Sequence, residues 1–359
     1  MKLSLSMLAA VLASLFAPVA QAIERHMARS GLMLFAQPTN LYDRYDAGTN
    51  VREDLIDKIT MTNPEETPVI SMAGRDTAEN TYHEWQRDAL RAPNKDNAAI
   101  DGDDATASAK TPPVRIGNYC QIFQDTIAVS GRVEKVKKAG MKSAMAYYKA
   151  KAYVELKRDM EAAVLSANPA VAGSGAAAAK LGGLGVLLYS NAQHGAGGST
   201  TAHTAGAPTV APVAGTPRAF TETLLKAAVQ ATYIASGKVP PAVYVSPAHK
   251  TVFSGFAGIA VNRYNVASRK DAQAKIIGGA DVYGSDFGDL EVVPHYIMAG
   301  STMVFGLQPE YIDMAYLRSF QSTPLGKTGD STREQVLVDV TLQVTSENVH
   351  FKIADLSGG

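Results

Sequence analysis

The sequence has very little cysteine and tryptophan, and this shortage excludes several kinds of site. Cys120 is its only cysteine, so the chain can form neither an internal disulfide nor a thiolate metal cluster. We expect this residue to be a small buried apolar side chain. Trp85 is the only tryptophan, and aromatic residues make up 7% of the chain. That is too few for a platform on which bases or sugars stack.

An excess of charge of either sign is also missing. The 34 basic residues are balanced by 34 acidic ones, which argues against a strongly basic nucleic-acid face and leaves room only for weak, non-specific contact with DNA. The chain has 359 residues, of which 46% are hydrophobic. This length and composition are sufficient for two or three globular domains with a sizeable core.

Motifs for metal binding and catalysis are missing as well. The chain has no G-x-S-x-G, H-E-x-x-H or C-x-x-C pattern. The run Asp101-Gly102-Asp103-Asp104 begins like a calcium loop, but the twelfth position of that loop would be Pro112 instead of glutamate. His194 and His203 have no cysteine or carboxylate nearby in the sequence and make a poor metal site. We therefore predict no metal, no cofactor and no enzymatic activity.

Polar groups do cluster around Trp85, where His83, Glu84 and Asp88 lie close together in the sequence. The alternating pattern of this stretch is typical of a strand, and on a strand His83 and Glu84 point to opposite faces. A convergent acid–base site is therefore disfavoured. The segment is better interpreted as a contact surface.

The first 22 residues, MKLSLSMLAAVLASLFAPVAQA, resemble a secretory signal peptide, with a basic start, an apolar middle and an A-x-A end. The apolar run is short and contains Pro18, which argues against a membrane-spanning helix. Three interpretations stay open for residues 1–30. They are an export signal, a segment removed later, or a start placed too far upstream of Met27 or Met33.

Residues 64 to 131 indicate extended structure. The segment TPVISMAG predicts a strand that ends at Gly74, and NTYHEWQRDAL alternates as a second extended segment. A polar stretch rich in Ala, Asp and Pro follows and predicts a loop, before VRIGNYCQIFQDTIAVSG returns as a strand. The whole predicts a long hairpin. Such a hairpin is marginal in water and needs another surface to lie on.

Residues 140 to 167 give the clearest helical pattern of the chain. Its predicted apolar stripe consists of Met141, Met145, Tyr148, Ala152, Leu156, Met160 and Ala163. A second helix is predicted from Thr216-Pro217 to Gly237, with its stripe through Phe220, Leu224, Ala227, Ala231 and Ile234.

The rest of the chain predicts short strands. They include Ala242 to Val245, and a closing pair in which Val336 to Val344 is followed by a returning strand, His350 to Ile353. Helices packed on mostly antiparallel strands define the fold class as α+β.

Several motifs resemble one known family when taken in their order. They are NVREDLIDKI, NPEETPVISMAGR, HEWQRDAL, GNYCQIF, VYGSDFGDLEVVPH and LGKTGDSTREQVLVDVTLQVTSENVHFKIADL. Together they look like the major capsid proteins of tailed bacteriophages, and the resemblance covers about Asn50 to Leu356. Each motif is modest alone, and their order and spacing make the match specific.

The resemblance implies the Hong Kong ninety-seven type coat fold. The signal-like or removable front segment (1–30) precedes five regions of this fold. These are an N-terminal arm (31–73), an extended hairpin called the E-loop (74–131), a peripheral domain with a long spine helix (132–167), an axial domain (168–305) and C-terminal strands of the peripheral domain (306–359). Family members begin near TNLYDRYDAGTNVRED, which favours a false or removable front end over export.

The implied function is self-assembly into hexamers and pentamers that form an icosahedral head around double-stranded DNA. Implied partners are other copies of the chain, a portal, and scaffold or decoration proteins, with no membrane. The implied location is the virion, assembled in the host cytoplasm. For contacts between subunits we predict the hairpin residues Tyr82, Trp85, Arg87, Arg91, Tyr119 and Phe123. The candidate hinges are Gly131 and Gly140, which flank the link between hairpin and spine.

Rival interpretations remain open at this stage. One keeps the fold but makes the chain an encapsulin-like shell of a bacterial compartment. Another is an exported surface or periplasmic structural protein, and it rests on residues 1–22. A hydrolase is a further possibility with no motif in its favour.

Overall fold

The chain divides into two compact units, Met1–Ile56 and Asp57–Gly359. The computed structural model describes residues 17–19, 21, 25, 59, 63–64, 66–102, 104, 107–256 and 281–358. Most of the predicted signal-like segment and most of the predicted arm therefore lie outside the described residues. The architecture given below is that of the second unit.

Helices and strands alternate along the second unit. Its described helices are α1 (Pro68–Met72), α2 (Gly131–Lys135), α3 (Ala144–Val164), α4 (Leu184–Leu187), α5 (Glu222–Ser236) and α6 (Pro247–Ser254). Single 3-10 turns lie at Tyr296–Met298, Pro309–Tyr311 and Glu347–Val349. The described strands are β1 (Gly74–Thr77), β2 (Tyr82–Arg87), β3 (Val114–Tyr119), β4 (Gln121–Ser130), β5 (Ala192–Gln193), β6 (Ala242–Val245), β7 (Val282–Ser285), β8 (Gly288–Pro294), β9 (Val304–Leu307), β10 (Ile312–Leu325), β11 (Ser331–Val344) and β12 (Phe351–Ile353).

The first sheet has four strands in the order β1-β10-β11-β4. Strand β1 is parallel to β10, and the other two pairings are antiparallel. The predicted alternation of Val336 to Val344 places a row of valine and leucine side chains in the core, all at most 5% exposed. Helix α3 packs on this sheet, and both belong to the same hydrophobic cluster.

Helix α3 begins after Ser143, whose hydroxyl accepts the Ala146 N–H at 3.2 Å and caps the first turn. Its buried stripe includes Ala152, Leu156 and Met160, as the sequence predicts. Tyr148 is 43% exposed, so its predicted place in that stripe is wrong. Its ring lies on the helix surface, edge-on to Tyr147.

The second sheet has six strands in the order β5-β12-β9-β6-β8-β7. A second hydrophobic cluster fills the space between this sheet and helices α5 and α6, with Phe253, Leu225 and Phe351 fully buried. Helix α5 ends at Gly237, which adopts φ +70° as the predicted stop. The predicted stripe is confirmed at Phe220, which is buried, and at Leu224, which packs against the same cluster. It is wrong further along, because Ala228 and Val229 face the core whereas Ile234 is 76% exposed.

The predicted strand TPVISMAG is wrong in its first part, because Pro68–Met72 is the helix α1. Pro68 occupies the first helical turn, where its missing N–H costs nothing. The next two backbone N–H groups, of Val69 and Ile70, each donate at 2.8 Å to the buried carboxylate of Glu161 in α3. A residue far away in the sequence thus completes this helix terminus.

The predicted hairpin is too long. Only β2 and β3 pair with each other, from Tyr82 opposite Tyr119 to Arg87 opposite Val114. On either side of this pair, β1 joins β10 and β4 joins β11, so both belong to the four-stranded sheet. For β1 and β4, pairing within a four-stranded sheet is more stable than pairing within an isolated two-stranded ribbon.

The predicted closing strand pair is also wrong. Strand β11 pairs with β10 and β4, whereas β12 pairs with β9 and β5 in the second sheet. The chain passes from one sheet to the other through the single 3-10 turn Glu347–Val349. The C-terminal region 306–359 therefore contributes strands to both sheets, not to one.

Candidate inter-subunit contact surface

The β2–β3 hairpin carries an exposed extension. The rings of Tyr82 and Tyr119 pack at its base with centroids 4.8 Å apart. Beyond Arg87, the described residues of 88–113 contain no helix or strand, and almost all are exposed. Leu90 is 100% exposed and Ile100 is 77% exposed. The extension thus presents apolar side chains that the described part of its own chain does not cover.

Asn118 fixes the base of the hairpin to the body of the second unit. Its side chain is fully buried. Its Nδ2 donates to Leu342 O at 2.9 Å and to Gly182 O at 3.1 Å, and its Oδ1 accepts the Gly182 N–H at 2.8 Å and the Tyr119 N–H at 3.0 Å. All polar atoms of the amide are satisfied, so the hairpin leaves the sheet in one defined direction.

A backbone contact holds the hairpin from its other side. The Gly206 N–H donates to Arg115 O at 3.0 Å, and the Gly117 N–H donates to Gly206 O at 3.1 Å. Gly117 leaves no room for a side chain, since a Cβ there would lie 2.6 Å from Cζ of Tyr82. The Ala/Gly/Thr-rich stretch after β5 therefore braces the hairpin.

Arg87 contacts residues of its own subunit, and its predicted contact with a neighbouring copy stays a prediction. Its guanidinium lies 3.6 Å from Oε1 of Glu347, and Nη2 donates to the Tyr189 hydroxyl at 2.6 Å. Glu347 is itself buried and accepts the N–H and the hydroxyl of Ser190. The acidic partner of Arg87 is thus Glu347 of the same subunit, whereas the prediction placed that partner in a neighbouring copy.

Trp85 and Phe123 are also buried within their own subunit, at 8% and 7% exposure. Phe123 lies on β4 and belongs to the core under helix α3. Their apolar area is covered by the fold of one chain, so we no longer assign these two side chains to a contact between copies. Tyr82 and Tyr119 are half-buried and Arg91 is exposed.

The two predicted hinges lie in different settings. Gly131 opens helix α2, and a Cβ there would lie 2.3 Å from Oδ1 of Asp330 in the β10–β11 turn. Gly140 adopts φ +74°, a left-handed conformation that side chains other than glycine rarely adopt. Both glycines are thus required by close packing or backbone geometry. The hinge role itself stays a prediction.

A chain of buried polar groups ties the C-terminus to the stretch after β5. Nζ of Lys352 donates to the Thr200 hydroxyl at 2.6 Å, and that oxygen lies 2.8 Å from Nε2 of His194. Nδ1 of His194 lies 3.2 Å from Oδ2 of Asp355, which has the positive φ of 59°. Burial lowers the pKa of His194 and lowers the pKa of Lys352 to about 8. This chain of bonds holds β12 and the residues after it against the stretch that follows β5.

Histidines that looked like loop residues in the sequence are therefore internal. Burial, with Arg87 nearby, lowers the pKa of His203 to about 4, and its ring packs edge-on against Tyr189. Among the described residues, no group of three His, Cys, Asp or Glu side chains is arranged to hold a metal ion. The hydrogen-bonding roles of Asn118, Glu161 and Glu347 were not predicted, and no local signal in the sequence marks them.

Cys120 is buried, as predicted. Its Sγ lies 3.5 Å from Asn80 O. Burial, reinforced by the negative charge of Asp339, raises the pKa of the thiol to about 11. Within the part of the chain that the structure describes, no helix combines the length and apolar character needed to cross a bilayer.

Comparison with known proteins places these features in a family. Residues 37–357 match a family model described as SU10 major capsid protein. The major capsid protein of Escherichia phage Phieco32 is 32% identical over 108 residues, which is 30% of this chain and 31% of that protein. The match thus spans about a third of the length of this curated relative.

Solved structures show the same fold. A chain of the cyanophage A-1(L) capsid asymmetric unit aligns with a TM-score of 0.57 at 14% identity, covering 87% of this chain and 99% of the other. A chain of Mycobacterium phage Bobi aligns with a TM-score of 0.54 at 9% identity, covering 88% and 99%. A capsid chain of a native GTA particle gives 0.53 at 11% identity, covering 89% and 100%.

Proposed function

The chain belongs to the family of the SU10 major capsid protein, and we propose that its copies assemble into the icosahedral shell of a tailed-phage head. The observation that carries this proposal is the hairpin. Its base is held by buried hydrogen bonds to the same subunit, whereas its extension exposes apolar side chains. A rigidly held but uncovered apolar extension is suited to bind a neighbouring copy.

In this proposal the extension lies across the adjacent subunit, and Leu90 and Ile100 supply its apolar contacts. Arg91 supplies a polar contact at the rim, and Tyr82 and Tyr119 stiffen the base. Many such contacts, each weak, add up over a closed shell while still letting misplaced copies leave.

The wider assembly follows from the same proposal. Copies form hexamers and pentamers around double-stranded DNA, joined by a portal and by scaffold or decoration proteins, and assembly takes place in the host cytoplasm. Gly131 and Gly140 are the positions where the link to α3 would bend during maturation. The axial region would be the part that surrounds the centre of each capsomer.

The family match supports this function over two of the rivals that the sequence left open. An encapsulin-like shell shares the fold, but the matching family model is that of a phage capsid protein. An exported surface protein rests on residues 1–22, which precede the matched range.

The test compares the full chain with the variants Leu90→Asp and Ile100→Asp. Both substituted side chains are exposed, so we expect no change in monomer stability but a loss of capsomers and shells in negative-stain micrographs and sedimentation. The matched control is Val210→Asp, which changes a valine that is 52% exposed on a loop outside the hairpin. Assembly of the two hairpin variants at the wild-type concentration would contradict the proposed contact. A wild-type chain that stays monomeric at high concentration would contradict the function.

A further inference from the structure

Charge is unevenly distributed along a chain whose net charge is zero. The segment 131–142, which joins β4 to the spine helix α3, contains Arg132, Lys135, Lys137, Lys138 and Lys142 and only one acid, Glu134. The hairpin extension has the opposite balance. Residues 88–104 contain five aspartates and only two basic residues. We refer to these as the basic segment (131–142) and the acidic tip (88–104).

Most cations of the basic segment have no acidic partner among the described residues. Arg132, Lys135, Lys137 and Lys142 are exposed and form no ion pair there. Lys135, Lys137 and Lys142 line one open depression on the surface. They therefore form a patch of positive charge that the described part of the subunit leaves uncompensated.

The one acid within the basic segment is already engaged. Oε2 of Glu134 accepts the Ala144 N–H at 3.0 Å and lies 3.7 Å from Nζ of Lys138. The Lys138 ammonium also donates to the carbonyl oxygens of Val133 and of Glu134 itself. Asp330 contacts the segment through its backbone, since its carbonyl oxygen accepts the Gly131 N–H at 3.1 Å.

Two carboxylates of the acidic tip are exposed as well. Asp96 and Asp101 are exposed, and neither forms an ion pair with a described residue. Asp96 and Asp101 therefore lack a partner of opposite charge among the described residues, as do the exposed cations of the positive patch.

The basic segment and the base of the hairpin that carries the acidic tip lie at opposite ends of strand β11. The basic segment follows Ser130, which is opposite Ser331 at one end of β11. At the other end of β11, His83 of the hairpin contacts Gln343 at 3.0 Å. Further along the chain, Arg87 reaches Glu347. A strand rises about 3.3 Å per residue, so the 13 residues from Ser331 to Gln343 separate the ends by roughly 40 Å.

We propose that the basic segment of one copy receives the acidic tip of the next. The proposal rests on the proposed function and names the surface on which the hairpin extension binds. Because the charges lie at opposite ends, the contact is head to tail. A heterologous contact of this kind generates rings when its rotation closes, which is the geometry of a capsomer. The occupant we infer is a second copy and not DNA, because the chain itself supplies the matching acidic segment.

The first test reverses the charge of the patch in the full chain with Lys135→Glu and Lys137→Glu together. Two attractive pairs become repulsive, and we expect the protein concentration at half-maximal assembly to rise about tenfold in low salt. We expect wild-type assembly to weaken from 50 to 500 mM NaCl because salt screens the attraction, and assembly of the variant to strengthen over the same range because salt screens the new repulsion.

The decisive variant adds Asp96→Lys and Asp101→Lys to the patch reversal. We expect the tip reversal alone to impair assembly, and the four-substitution chain to recover most of the wild-type midpoint. The control is Lys157→Glu with Lys180→Glu, which makes the same change in net charge at two exposed lysines that form no ion pair with a described residue. This control should assemble like wild type.

The outcomes separate this inference from the proposed function. Wild-type shells that are indifferent to both reversals overturn the charge match but leave the coat function standing. If the patch reversal weakens binding to a short DNA duplex while the tip reversal changes nothing, the patch contacts DNA phosphates and the inference is wrong. Failure of the wild-type chain to assemble at all overturns the proposed function itself.

Discussion

Glu161 gives the sharpest stability test, because it joins three separate parts of the second unit. Its fully buried carboxylate accepts the Val69 N–H and the Nε2–H of His295 at Oε1, both at 2.8 Å, and the Ile70 N–H at Oε2, also at 2.8 Å. Nδ1 of His295 accepts the Ile297 N–H at 3.2 Å, so the ring proton lies on Nε2. One side chain of α3 thereby fixes the first turn of α1 and the turn after β8.

The expected cost of Glu161→Ala follows from what it leaves behind. Two backbone N–H groups and one imidazole N–H become buried donors without an acceptor, at about 1–3 kcal/mol each before any relaxation. Removing one partner of a buried charged contact typically costs about 3–5 kcal/mol. We therefore expect the free energy of unfolding to fall by about 3–5 kcal/mol, out of about 5–15 kcal/mol for a typical domain. Glu161→Gln should lower the free energy of unfolding by about 2 kcal/mol. The amide NH₂ group that replaces one carboxylate oxygen meets an N–H donor and cannot accept its hydrogen bond.

The measurement is equilibrium urea unfolding followed by circular dichroism, at a concentration where the chain is unassembled. The matched control is Glu155→Ala on the same helix. Glu155 is 47% exposed and pairs with Lys151 at 3.5 Å, an exposed contact worth about 0.3–0.5 kcal/mol. If the free energies of unfolding of Glu161→Ala and Glu155→Ala differ by less than about 1 kcal/mol, then the three donors do not depend on the Glu161 carboxylate, and the reasoning is refuted.

Three further predictions concern buried groups. Burial lowers the pKa of His350 to about 3, against about 6.5 in an unfolded chain, so only the unfolded state gains a proton as the pH falls from 6.5 toward 3. The loss of stability from this group should grow from about 0.7 kcal/mol per pH unit at pH 6.5 to about 1.4 kcal/mol per pH unit near pH 5. The variant His350→Asn, which keeps an acceptor for the Gln308 N–H, should reduce that slope, and an unchanged slope contradicts the assignment. Asn118→Ala should cost about 2–4 kcal/mol and speed hydrogen exchange in β2 and β3, whereas protection equal to wild type would show that Asn118 does not hold the hairpin. The raised pKa of Cys120 predicts alkylation by iodoacetamide at pH 8 at least about 100-fold slower in the folded than in the unfolded protein, and rapid reaction of the folded chain would refute its burial.

Residues that act within a few positions of each other were predictable from the sequence. The inward residues of α3 from Ala152 to Met160, the stop of α5 at Gly237 and the strand β6 follow from side-chain periodicity and from the left-handed preference of glycine. The order of the family motifs gave the coat fold, and the family match and the related structures confirm it.

The errors all concern partners distant in the sequence. Arg87 looked like a free cation until the fold brought Glu347 beside it, and the alternation around Phe123 fitted a hairpin as well as a sheet of four strands. Local pattern states that a segment is extended but not which strand it pairs with. For the same reason, the predicted stripe of α5 had the right period but the wrong face after Leu224.

The sequence by itself determined that α3 and α5 are helices and that β6 and β11 are strands, because propensity, capping and periodicity depend on neighbouring residues. Only the tertiary structure decided that Pro68–Met72 is a helix, since the carboxylate that completes it lies 92 residues away from Val69. It likewise decided how much of the predicted hairpin is free to bind another copy. Pairing and burial are settled by the competition among all segments for the same partners, and no local stretch of sequence contains that information.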